Sequence, residues 1–187
     1  YTTAYSQGSA FTNLDSPKFT DLHITDSNSI TVDNGESDSI LTVGKFIDGA
    51  NSSILISVPI PQGIQPQNAS VTSALISLEA TSLSSTNVRM AIREVLVPWD
   101  TDASNTKYNA TNNWSELGAR GIGSDVSEPL DIIISQVGEN QWDITQTVQL
   151  AISQGKTSLS LIIYTNADNL GDLVYFYSSE SQNSKPT

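Results

Sequence analysis

Apolar residues along this chain recur mostly at every second position, in short runs separated by turn-forming residues. That period belongs to half-buried strands rather than helices. HITDSNSITV (23–32) alternates weakly and leads into the turn-rich DNGESD (33–38). ILTVGKFI (40–47) reads as a strand with an interior glycine, and DGANSS (48–53) as a hairpin turn. ILISVPIP (54–61) is apolar and β-branched until its prolines stop it, and QGIQPQNAS (62–70) is a loop. In VTSALISLEAT (71–81), Ala74, Ile76, Leu78 and Ala80 share one face, with Val71, Ser73, Leu75, Ser77 and Glu79 on the other. VRMAIREVLVPW (88–99) is a strand ending at a proline, and residues 100–128 form a polar, glycine-dotted loop. LDIIISQV (130–137), WDITQTV (142–148), SLSLIIYT (158–165) and LVYFYS (173–178) follow. One stretch has helical spacing: Ile144, Val148, Ala151 and Ile152 within 144–155, with Asp143 or Thr145 as cap and Gly155 as terminator. Nine or ten close-set strands and one short helix predict an all-β chain, a jelly-roll-like antiparallel β-sandwich.

The first 22 residues break this pattern. Their aromatics are scattered, alternation is weak, and Ser16-Pro17 interrupts them. They read as an N-terminal extension (1–22) ahead of a β-sandwich domain (23–187). A length of 187 residues suits one such domain.

Charge narrows the partners. Twenty acidic residues against eight basic ones leave a net charge of -12. Such a field repels phosphate backbones and anionic lipid surfaces, so neither nucleic-acid binding nor membrane insertion is expected. No apolar run is long enough to span a bilayer, and no secretory apolar segment is present. The abundance of serine, threonine and asparagine fits a solvent-facing β surface, and Tyr1 then reads as the mature N-terminus of a secreted chain.

Candidate chemistry is sparse. Nucleophilic catalysis needs a base, and the chain has one histidine, His23, on a predicted strand surface, with no Gly-x-Ser-x-Gly turn. Cysteine is absent, which removes disulfides, thiol chemistry and zinc sites. Paired carboxylates suited to glycoside hydrolysis cannot be singled out among so many acids. The chain is therefore expected not to be an enzyme, with no catalytic residues. In DTDASN (100–105), Asp100 and Asp102 alternate with Ser104 like the start of a calcium loop, although Asn105 and Thr111 stand where that loop needs glycine and glutamate. No cofactor is expected, beyond a candidate structural calcium there or at 33–38; aspartates are common in turns for local reasons. Asn51, Asn68, Asn109 and Asn113 open N-glycosylation sequons, all in predicted loops. Trp99, Tyr108, Trp114 and Trp142 are candidates for a sugar-stacking platform, against the alternative of core packing.

Five segments carry a family resemblance: SILISVPIPQGIQPQNASVTSALISLEA (53–80), VRMAIREVLVPWD (88–100), NNWSELGARGIGSDV (112–126), QWDITQTVQLAISQG (141–155) and LVYFYSSESQNSKP (173–186). In this order they resemble the DNRLRE, or disaggregatase-related, domains, some of which are carbohydrate-binding modules. The resemblance implies an extracellular β-sandwich. It departs at ISVPIP, in the missing Thr-Trp before the long loop, and at Lys185 where the family has arginine. The family pattern also continues past the final proline with another strand, whereas this sequence ends at Thr187.

That difference suggests an acceptor position for a strand from a second copy. Ile30, Val32, Val174 and Phe176 are the expected acceptor groove, and Tyr1, Tyr5, Ala10, Phe11 and Leu14 the donor strand. Donation in cis is the rival arrangement. Head-to-tail donation does not close on itself and builds a filament. The expected function is a secreted structural subunit of a pilus-like or thread-like cell-surface filament serving adhesion or biofilm formation, similar in general plan to archaeal thread subunits. Its partners would be copies of itself and N-linked glycans. The alternatives are an extracellular carbohydrate-binding module recognising a polysaccharide, and a phage tail or virion decoration domain.

Overall fold

The structure, a computed structural model, describes residues 4–7, 10–13, 20–25, 40–60, 70–165 and 169–178, with backbone alone for 4–7 and 10–13. Eleven strands and one helix lie among them. They are β1 (Ala4–Gln7), β2 (Ala10–Asn13), β3 (Thr20–Thr25), β4 (Ile40–Lys45), β5 (Asn51–Pro59) and β6 (Leu75–Leu83). β7 (Arg89–Glu94), β8 (Asp131–Ile134), β9 (Gly138–Asp143), α1 (Thr145–Ser153), β10 (Ser158–Thr165) and β11 (Leu173–Tyr177) follow. All pairing between these named strands is antiparallel. The chain is an all-β sandwich.

β1 and β2 form a two-stranded sheet of their own. The other nine strands form one sheet in the order β8-β7-β10-β5-β4-β11-β6-β9, with β3 paired to the remaining edge of β5. The β4–β5 pair joins only at Gly44 with Ser52 and Lys45 with Asn51. There the sheet folds onto itself, so that β3-β5-β10-β7-β8 faces β4-β11-β6-β9. Between the halves lies the main core, including Ile54, Ile56, Ile76, Ile92, Trp142, Leu161 and Phe176. Each fully buried aliphatic side chain there contributes about 1.5–3 kcal/mol. The alternation in 71–81 holds as expected: Ala74, Ile76, Leu78 and Ala80 all face this core.

A second core lies on the opposite face of the β3-β5-β10 layer. Leu22, Ile24, Leu55 and Ile162 are covered there by Val95, Ala103, Trp114, Ala119 and Val126. The polar stretch after β7 is thus a packed cap, not a free loop. β3 starts at Thr20, inside the segment expected to be extension, and the rest of the predicted 23–32 strand lies outside the described residues. His23 is buried rather than on the surface, because β3 is sandwiched between this cap and the main core side.

The helix appears where its periodicity put it, with Val148, Ala151 and Ile152 buried. Its capping differs from expectation. Ile144 occupies the N-cap without a side-chain bond, and the Thr145 Oγ1 instead accepts the Ala74 amide at 3.0 Å. Asp143 does its share from one residue earlier, accepting the Thr145 amide at 2.8 Å. The side chain and then the amide of Thr145 hold the Asp143 carboxyl below its ordinary value of 3.8. A carboxylate depressed in the folded state stabilises above its unfolded pKa, and that stability is lost as pH falls through the folded one. Asp143→Asn is therefore expected to flatten the acid limb of the stability curve below about pH 3.8 and leave the slope at neutral pH unchanged, as read by urea unfolding across pH. Gly155 ends the helix at φ +69, its amide returning to the Ile152 carbonyl at 3.0 Å.

Candidate functional site

Folding one sheet onto itself leaves edges at each side, and β8 and β9 lie together on one of them. β8 pairs only with β7, and β9 only with β6, among the described residues. Their outer backbone edges carry no strand. Ser135–Val137 crosses between the halves, and the buried Asn140 shapes that corner. Its Oδ1 accepts the Gln136 amide at 3.0 Å, and its Nδ2 donates to the carbonyls of Gln136 at 2.8 Å and Gly138 at 2.9 Å. Asp131 spans the edge, its Oδ2 accepting the Asp143 amide at 2.8 Å.

Two hollows are lined by residues of this edge. One, of about 580 Å³, is lined by Thr72, Leu130, Asp131, Asp143 and Thr145 among others. The second, of about 370 Å³, is lined by Ile133, Ile134, Gln136, Glu139, Asn140 and Gln141. β8 is unusually apolar for an edge: Ile134 is 60% exposed and Ile132 46%, with Val137 at 65% just beyond. A strand edge with no partner strand beside exposed isoleucines is a template for another strand, which edge strands usually avoid by charge, proline or brevity.

Val174 and Phe176 lie on β11, which pairs with β4 on one side and β6 on the other, and both side chains are fully buried. They line no open groove; the strand expected beside a vacancy is interior to the sheet. Ile30 and Val32 lie outside the described residues, as do Tyr1 and Leu14. Tyr5 falls in β1, and Ala10 and Phe11 in β2; the proposed donor segment pairs with itself as a hairpin, with Tyr5 opposite Thr12.

Trp114 and Trp142 serve packing, not an exposed platform. Trp114 is buried, donates Nε1 to the Ser104 carbonyl at 2.7 Å and packs 5.5 Å from the Tyr108 ring. Trp142 is in the main core, 6.4 Å from Phe176. Trp99 is half-buried against the second core. Asn51 is the half-buried first residue of β5, paired with Lys45, rather than a loop residue. Asn113 is exposed in the cap, while Asn109 folds its Oδ1 onto the amides of Thr111 and Asn112 at 3.1 and 2.9 Å. Asn68 and the 33–38 acidic turn are outside the described residues. Asp100 and Asp102 are exposed; Asp100 Oδ1 accepts the Asp102 amide at 3.0 Å, a turn made by the side chain itself. Among the described residues no group of three acidic or histidine ligands gathers in metal-binding reach. Nor is any described helix long and apolar enough to cross a membrane.

Two features escaped the sequence reading. The β8 edge is one, because periodicity marks a strand but not its neighbours. The other is Arg93, buried in the run MAIRE, where a lone charge among apolar residues was the available signal. Comparison with protein-family models finds no match, and comparison with curated proteins finds none either.

Proposed function

We propose that this chain is a structural subunit of an extracellular filament, polymerised by strand addition, in which the N-terminal segment of one copy lies along the β8–β9 edge of the next. The observation that carries this reading is that edge: an apolar strand paired on one side only, beside open hollows lined by β8, β9 and the start of α1. Two further observations support it. The β1–β2 hairpin is a separate two-stranded sheet, and such a ribbon is marginal in water without a surface to cover it. Residues 1–14 also carry no charged side chain in a chain of net charge -12, so they approach the acidic edge residues Asp131, Glu139 and Asp143 without like-charge repulsion. Donor and acceptor are different surfaces, so the contact is head-to-tail and extends into a filament when its rotation does not close a ring. The exposed sequon at Asn113 fits a secreted, glycosylated surface protein.

Deletion of residues 1–14 is expected to give monomers by sedimentation and no filaments by negative-stain microscopy. Ile134→Lys, which places a charge on the acceptor edge, should have the same effect while the fold is retained. Filaments persisting in both variants overturn the reading.

A further inference from the structure

Eight basic residues are spread over this acidic chain, yet two of them line one cavity. It measures about 160 Å³ and lies between β7, β10 and the cap, walled by Ser53, Arg93, Arg120, Tyr164 and the apolar Ala119, Ile122, Val126 and Ile162. Arg93 is 7% exposed. Its Nε donates to the Tyr164 hydroxyl, its Nη1 to the Ser127 carbonyl at 3.0 Å, and its guanidinium stacks 4.7 Å over the Tyr164 ring. Nη2 has no hydrogen bond among the described residues. Arg120 Nε is buried and also lacks one. Among the described residues the one ion pair is Lys156 with Glu94, so neither arginine meets a carboxylate. Asp125, in the same cap, spends both oxygens on Ser115, Glu116 and Gly121.

A buried guanidinium without a counter-charge is costly, because desolvation is not repaid by neutral partners alone. We infer that this cavity is a binding site for a small organic carboxylate, whose oxygens take one N–H from each arginine while its apolar body rests on Ala119, Ile122, Val126 and Ile162. Arg93 leaves N–H groups on both Nη atoms unused and Arg120 brings a second guanidinium, which together suit the two oxygens of a carboxylate. The volume matches that of cavities, about 150 Å³, that accept one benzene-sized molecule. The apolar wall disfavours a fully hydrated ion such as phosphate, which would leave its remaining oxygens unsatisfied there. The site is separate from the β8–β9 edge, so its test does not depend on assembly.

Benzoate is the probe, with benzyl alcohol as its uncharged counterpart and inorganic phosphate as a bare anion, each titrated into the full chain while methyl signals of Ala119, Ile122, Val126 and Ile162 are followed by NMR. Benzoate is expected to shift these signals saturably, and benzyl alcohol and phosphate are not. Arg93 also anchors Tyr164 and the 127 carbonyl, so the decisive variant is Arg120→Gln, which is less buried. It should weaken benzoate at least about tenfold, the loss of one charge-assisted hydrogen bond. No benzoate shift at about 10 mM, equal binding by phosphate, or unchanged affinity in Arg120→Gln overturns the assignment.

Discussion

Gly44→Ala is expected to destabilise the protein by about 3 kcal/mol or more, to the point of preventing folding. Gly44 has φ +138, a region that side chains rarely enter, and it sits in β4 directly opposite Leu173 of β11. A Cβ there would stand 2.0 Å from the Asp172 carbonyl oxygen and 3.0 Å from the Leu173 Cα. Both are backbone, so no rotamer change relieves the clash. That backbone is also held in place. The Lys45 amide donates to the Asp172 carbonyl at 2.9 Å, and the Gly171 amide to the Lys45 carbonyl at 2.8 Å. Relief would mean parting β4 from β11 where the sheet turns onto itself. Gly49→Ala is the matched control: its φ is +92 but nothing lies within 4 Å of the added carbon. It should cost only the conformational penalty, about 1–2 kcal/mol. Urea unfolding of the two variants separates the effects. Equal losses would show that backbone conformation, not close approach, explains the glycine.

The interior glycine of ILTVGKFI was readable in the sequence; what it accommodates was not. The same division runs through the molecule. The alternation of Ala74, Ile76, Leu78 and Ala80, and the helical spacing of Val148, Ala151 and Ile152, are local patterns, and both survive in the fold. Strand neighbours are not local. LVYFYS read equally well as a strand beside an acceptor groove and as the interior strand it is, because nothing in Val174 or Phe176 records that β4 and β6 flank them. LDIIISQV carried a second gap: it read only as a strand, and two of its isoleucines are exposed on an edge. The cap from Val95 to Val126 was hidden for another reason. Its composition is polar, and it builds a core not by alternation but by folding a few apolar residues, Ala103, Trp114, Ala119 and Val126, onto a sheet face. Its backbone groups are satisfied by irregular turn bonds and by side chains rather than by a ladder, and such bonds have no period to detect.

Asp125 accepts three of the cap's amides, and Asp125→Ala is the second large effect expected. The carboxylate is 2% exposed. Its Oδ1 accepts the Ser115 amide at 2.8 Å; its Oδ2 accepts the Ser115 hydroxyl at 2.9 Å, the Glu116 amide at 3.0 Å and the Gly121 amide at 3.1 Å. Alanine removes every acceptor and leaves the donors behind, each orphaned donor costing about 1–3 kcal/mol unless water reaches it. Gly121 lies so close that an added Cβ would come within 2.8 Å of Oδ2, so the chain is wrapped tightly around this one group. The loss should be about 3 kcal/mol or more, and local before it is global. Amide exchange at Ser115, Glu116 and Gly121 should accelerate first. Trp114 emission should then shift to the red as the cap lifts from Leu22, Leu55 and Ile162. Asp125→Asn should fall between parent and alanine, because its amide keeps one acceptor but turns an N–H₂ group toward a donor. The carboxylate, rather than apolar contact, then holds the cap. A loss under about 1 kcal/mol in Asp125→Ala, with Trp114 emission unchanged, would assign that role to the packing of Trp114 and Val126 instead.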